Sequence, residues 1–81
     1  AAVLIPVALL LPVAATGRAL LLASVFLVLI VELLNSSIEA AVDRISLDNH
    51  ELAKVAKDIG SAAVMLSLVC MIIVWIVVLA G

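Results

Sequence analysis

From Ala62 to Ala80 the chain reads AAVMLSLVCMIIVWIVVLA and carries no charged residue. Wound as an α-helix at ~1.5 Å per residue, this run is about 28 Å long, close to the ~30 Å hydrocarbon thickness of a bilayer. Within lipid every backbone N–H and C=O must be satisfied inside the segment, so a lone span of this kind has to be a helix. Leu20 to Val31, LLLASVFLVLIV, shows the same character, with Ser24 as its one polar residue. Two such runs commit the chain to an all-α integral membrane fold. The composition agrees: 12% of the 81 residues are charged, where a globular domain has roughly a quarter.

The stretch from Ala1 to Thr16 is also apolar, with prolines at 6 and 12. As a helix it would reach about 24 Å, short of a full span. It is expected to be completed by residues before Ala1, or to tilt or kink, since membrane helices tolerate proline where neighbours satisfy the freed carbonyls. The expected organisation is one membrane domain over 1–81 with three membrane helices. Helix 1 covers about 1–16, Thr16-Gly17-Arg18 makes a tight turn, helix 2 covers about 18–46 and helix 3 about 49–79. Ser46 or Asp48 can cap helix 3 by accepting its free N–H groups. The chain opens without methionine or a basic region before the apolar stretch, unlike a signal peptide. It is expected to begin partway through a longer protein.

A net charge of −2 leaves no basic surface of the kind that binds nucleic acid. Cys70 is the only cysteine, so no disulfide can form within the chain, and it reads as a small apolar filler. Trp75, toward the end of the last run, reads as an aromatic anchor at the membrane interface. Apart from Arg18, every charge lies between Glu32 and Asp58. Arg44, Lys54 and Lys57 make that the more basic side, so the positive-inside rule places the helix 2–3 connection in the cytoplasm and the Gly17-Arg18 turn outside.

The polar part of helix 2, VELLNSSIEAAVDRI (Val31 to Ile45), is organised. At 100° per residue Glu32, Asn35, Glu39 and Asp43 fall within about 80° of arc, with Ser36 beside them. Ala40 and Ala41 flank the stripe and leave room for another helix or a ligand. An interfacial helix end whose charges reach water accounts for Asp43 and Arg44. It does not account for Glu32, which follows VFLVLIV directly, and an ionisable group at membrane depth marks a site by default. A carboxylate held in such surroundings suits a general base. On helix 3, His50, Lys54, Lys57, Asp58 and Ser61 share about 100° of arc and form a mostly cationic face. In a hairpin the two faces meet. Salt bridges that merely pin the hairpin are one reading, and each contributes little. A polyphosphate site is the other, with carboxylates holding Mg²⁺ and a lysine neutralising phosphate oxygens. No glycine-rich phosphate loop is present, and spacing alone leaves both readings open.

VELLNSSIEAAVD followed by HELAKVAKDIGSAAV resembles the prokaryotic diacylglycerol kinase family. The motif is E-x-x-N-[ST]-[SA]-[IL]-E-x-x-V-D on the second membrane helix and A-K-D on the third, and the resemblance covers nearly the whole chain. G-S-A-A after A-K-D is similar to the Gram-negative branch. The Gram-positive relatives that phosphorylate undecaprenol are the alternative within the family. The resemblance implies a helical-bundle homotrimer in the bacterial cytoplasmic (inner) membrane, with active sites shared between subunits and an amphipathic surface helix preceding the membrane helices. It implies Mg²⁺-dependent transfer of the γ-phosphoryl group of ATP to diacylglycerol, giving phosphatidate.

By position in the motif, Glu32 is implied as general base and Glu39 as metal ligand. Asp48, Asn49, His50, Lys57 and Asp58 are implied as nucleotide contacts together with Glu39, although Asn49 stands where the family commonly has tyrosine. Ser61, Arg18 and Trp75 are implied, with Glu32, as contacts to the lipid substrate, while Asn35 and Asp43 organise the site. The family's second metal-binding glutamate belongs to the segment before the first membrane helix and has no counterpart in this chain, which alone is expected to have little activity. Two rival classes stand beside the kinase: a small channel or transport subunit with the acidic stripe lining an ion path, and a structural helical assembly module built on Ala40, Ala41, Gly60, Ser61 and Ala62.

Overall fold

Pro12 sets the architecture of the N-terminal third. In the computed structural model, which describes residues 2–45 and 50–81, helix α1 spans Leu4–Leu10 and ends at Leu11, whose backbone is extended (φ −66°, ψ 141°). A residue before proline is driven out of the helical region by the proline ring, so the helix stops there. Pro6 causes no break, because it falls in the first turn, where the missing N–H has no intrahelical partner to lose.

Helix α2 spans Ala15–Ile45 and helix α3 spans His50–Ala80. The expected boundaries are corrected at one place. Helix 1 ends at Leu10 rather than near Thr16, and Thr16-Gly17-Arg18 lies in the first turn of α2, because Pro12 moves the break to residues 11–14. Backbone bonds from Val13 N–H to the Leu11 carbonyl (2.9 Å) and from Arg18 N–H to the Ala14 carbonyl (2.9 Å) close that link. The proposed caps Ser46 and Asp48 lie outside the described residues.

α2 and α3 form a long antiparallel hairpin, as cross-helix neighbours show: Ser24 with Trp75, Asn35 with Gly60 and Asp43 with Lys57. Leu21, Ser24, Val25 and Val28 are the buried residues of α2's first half. Their i, i+3, i+4, i+7 spacing is one helical face. Near the α2 start, a Cβ on Gly17 would come within 3.1 Å of Val78 Cγ1, so glycine lets the two helices close up there. The buried hydroxyls are satisfied locally: Ser24 Oγ donates to the Leu21 carbonyl (2.8 Å) and Ser67 Oγ to the Val64 carbonyl (2.7 Å). Such back-bonding lets a serine sit in an apolar stretch without an orphaned donor.

Both long helices are apolar and long enough to cross a membrane, and only 22% of the most apolar stretch of α2 and 6% of that of α3 is buried. A core helix of a soluble protein would be covered by its own chain. Here Phe26, Ile30, Leu33, Ile72, Ile73 and Ile76 face outward instead, a surface that water penalises and lipid does not. The chain is an all-α membrane protein. Its long axis is 53 Å, well beyond a ~30 Å hydrocarbon layer, so one end of the hairpin has to stand in the polar zone.

Candidate active site at the polar end of the hairpin

The polar side chains of the stripe are arranged in steps along α2 toward the α2–α3 connection. The deepest is Glu32. Its side chain lines a hollow of about 130 Å³ whose other walls are Val25, Val28 and Leu29 of α2, Leu68 and Met71 of α3 and Leu4 of α1. Every wall except Glu32 is apolar. The stripe therefore begins with a carboxylate at the edge of an apolar recess.

One turn further on, Asn35 crosses to α3 and lies against Gly60, which is buried. Asn35 Nδ2 donates to Glu39 Oε1 in a long contact of 3.5 Å. Two turns beyond Glu32, about 10 Å along the axis at ~1.5 Å per residue, Glu39 presents an exposed carboxylate. Beside it Lys57 Nζ pairs with Asp43 Oδ1 at 2.5 Å, and the Glu39 charge also acts on that ammonium. The pair is largely open to water, with the two side chains 43% and 62% exposed. It is therefore a weak clasp, and the ammonium can be drawn to a stronger anion.

The structure thus brings together Asn35, Glu39, Asp43 and Lys57 and places Glu32 on the same stripe, deeper. Asp58 and Ser61 are exposed on α3 near this end. Asp48 and Asn49 lie outside the described residues, and of His50 only the backbone, which opens α3, is described. Arg18 and Trp75 are placed elsewhere. Arg18 lies fourteen positions before Glu32, about 21 Å along α2. Its guanidinium donates to the carbonyls of Leu9 (2.6 Å), Leu11 (3.0 Å) and Val13 (3.5 Å), closing the C-terminal end of α1. Trp75 Nε1 donates to Ser24 Oγ (3.1 Å), an interhelical bond within the apolar half. Reading the sequence as single helices gave Ser24 and Gly60 no part of this kind. Antiparallel registration of the two runs, which pairs Ser24 with Trp75 and Asn35 with Gly60, was the signal that could have found them.

The acidic end fits a divalent cation only in part. Among the described residues no three of His, Cys, Asp and Glu converge as a metal cage. Mg²⁺ asks for less, since it commonly takes one or two carboxylates and fills its shell with water and phosphate oxygens. The exposed Glu39 carboxylate suits that pattern.

Two long apolar helices, exposed along their length and carrying an acid–amide–lysine cluster toward one end, define a class: polytopic helical membrane proteins with a polar cluster at one end of the hairpin. The sequence comparisons narrow it. The family model of prokaryotic diacylglycerol kinase matches residues 1–79. A diacylglycerol kinase of Pseudomonas aeruginosa is 56% identical over 79 residues, covering 98% of this chain and 64% of the relative. One of Escherichia coli K12 is 54% identical over 69 residues, covering 85% and 57%. One of Helicobacter pylori 26695 is 48% identical over 56 residues, covering 69% and 44%. The chain belongs to the prokaryotic diacylglycerol kinase family, and it spans less than two thirds of the length of these relatives.

Proposed function

We propose that this chain is the membrane portion of a lipid kinase that transfers the γ-phosphoryl group of ATP to the hydroxyl of diacylglycerol. The observation that carries the reading is the two-level stripe on α2. Glu32 stands at the edge of an apolar recess, and Glu39 stands two turns nearer the polar end beside Lys57. A lipid kinase has to bring together a substrate that arrives from hydrocarbon and one that arrives from water. A base at the first level and phosphate-handling groups at the second meet that requirement. That the relatives are diacylglycerol kinases supports the same substrate.

The chemistry follows from the placement. Glu32 accepts the proton of the lipid hydroxyl as the hydroxyl oxygen attacks the γ-phosphorus in line, the bond to the β–γ bridging oxygen breaks and ADP leaves. The Lys57 ammonium exchanges Asp43 for phosphate oxygens and offsets their charge, with Asp48, Asn49, His50 and Asp58 contacting the nucleotide. Glu39 would hold Mg²⁺, which when bound neutralises phosphate charge. Phosphoryl transfer of this kind rests on positioning and electrostatic stabilisation. Ser61, near the same end, contacts the lipid head. The protein works as a homotrimer in the bacterial inner membrane, with the α2–α3 connection in the cytoplasm.

The test is to incubate the full-length protein with labelled ATP, Mg²⁺ and either diacylglycerol or undecaprenol in mixed micelles. Label in phosphatidate is the expected result. Label in undecaprenyl phosphate instead would move the protein to the alternative substrate. Transfer to neither lipid would leave the channel or assembly readings.

A further inference from the structure

Gly60 has no part in the site assigned above and entered only as a small residue for helix assembly, yet α2 comes so close to it that a Cβ on residue 60 could not be accommodated. It is buried in the hairpin, and the Asn35 side chain fills the space where a Cβ on residue 60 would be. The amide oxygen itself stands there, with Asn35 Cγ only 3.2 Å from that Cβ position. Asn35 Oδ1 is buried and has no hydrogen-bond partner among the described residues. What it faces is the Cα–H side of Gly60, a weak donor of the kind found where helices touch. The other end of the same amide, Nδ2, is the group that contacts Glu39. A planar amide cannot move one end alone. Where Gly60 seats the oxygen, the nitrogen is aimed along α2 at the Glu39 carboxylate.

We propose that Gly60 is a positioning residue for the nucleotide site: its missing side chain seats the Asn35 amide, and the amide orients Glu39. The inference rests on the reading that Glu39 handles the metal–nucleotide complex. A methyl group at residue 60 meets both Oδ1 and Cγ, so it displaces the whole amide rather than its tip. Glu39 then loses its contact with the Asn35 amide. The consequence belongs to nucleotide binding rather than to proton removal, because Glu32 sits a turn deeper against different walls.

The experiment is a double-mutant cycle in the full-length protein with Gly60→Ala, Asn35→Ala and the combination. Three quantities are read: the half-saturating Mg-ATP concentration and kcat, Mn²⁺-nucleotide affinity by direct titration without lipid, and the thermal unfolding midpoint. Gly60→Ala is expected to raise the half-saturating Mg-ATP concentration and the Mn²⁺-nucleotide dissociation constant about tenfold, the lower end of what loss of a ligand-orienting partner costs. Its kcat should change by less than about threefold. In the Asn35→Ala background the space is empty, so adding Gly60→Ala should shift none of these by more than about twofold, the non-additivity of groups in contact. If Gly60→Ala alone does not assemble, the comparison of Asn35→Ala with the double variant still decides the matter. Equal constants support the link, and a further loss overturns it. Unchanged nucleotide constants in a well-folded Gly60→Ala overturn it as well. A wild-type protein that binds Mn²⁺-nucleotide but phosphorylates no lipid would defeat the kinase reading while leaving the cycle interpretable.

Discussion

Glu32 and Glu39 are the same residue type on the same face of α2, and what separates them is their neighbours. Both are exposed, but Glu32 borders a hollow otherwise lined by six apolar residues, whereas Glu39 lies between an amide and a lysine. The two should therefore fail differently. Glu32→Gln keeps size and polarity but cannot take a proton, so turnover is expected to fall by about 100-fold or more, with assembly and unfolding midpoint unchanged. Near-normal turnover in micelles would remove the base assignment. Glu39→Gln keeps the contact with Asn35 but lowers the charge offered to a cation. The Mg²⁺ concentration needed for half-maximal rate should rise roughly tenfold, while the rate at saturating Mg²⁺ recovers in large part. An unchanged Mg²⁺ titration would take the ligand role away from Glu39.

At the scale of elements, the hairpin is held by different devices along its length: close approach at Gly17, a hydrogen bond at Ser24 and Trp75, an amide over Gly60, and an ion pair at Asp43 and Lys57. In lipid there is little hydrophobic drive between helices, so such local contacts matter. Double-mutant cycles in membrane proteins put an interhelical hydrogen bond near 0.6 kcal/mol, with a ceiling of about 1.7. The coupling between Ser24→Ala and Trp75→Phe, measured by reversible unfolding in mixed detergent, should fall within that range. A coupling of zero would mean that Trp75 is placed by its ring alone. The sequence made the long helices legible, because unbroken apolarity leaves a spanning segment no other choice of backbone. It also made the acidic stripe legible, because 100° steps depend on nothing outside α2. α1 ends at Leu10 rather than near Thr16 because of Pro12. Glycine merely permits a turn, and here it serves helix contact, whereas Pro12 enforces a break at Leu11. The duties of Arg18, Ser24 and Gly60 lie between elements, in a register that no single helix encodes.

As a whole molecule the hairpin is slender. Its cross-section of 19 × 16 Å is hardly more than two helices of ~10 Å side by side. A site at its end has a floor and one wall but stays open on its other sides, as the exposure of Glu39, Asp43 and Asp58 shows. Phosphoryl transfer to a lipid hydroxyl competes with transfer to water, and kinases meet that by enclosing the reacting groups. The hairpin leaves Glu39, Asp43 and Asp58 exposed. The apolar flank of α3 does not by itself require partner copies, because lipid covers Met65, Leu66, Ile72 and Ile76 equally well. The open sides of the site are what neighbouring subunits would cover in the proposed trimer. The full-length protein purified in mild detergent should therefore have the protein mass of three copies by light scattering, after subtraction of the bound detergent. Dilution into excess detergent that separates the copies should abolish lipid phosphorylation in step with the loss of trimer, and leave mainly slow ATP hydrolysis or none. A single copy that retains full transfer to diacylglycerol would show that one hairpin, with whatever precedes it in its own chain, encloses the site unaided, and the shared-site proposal would then be abandoned.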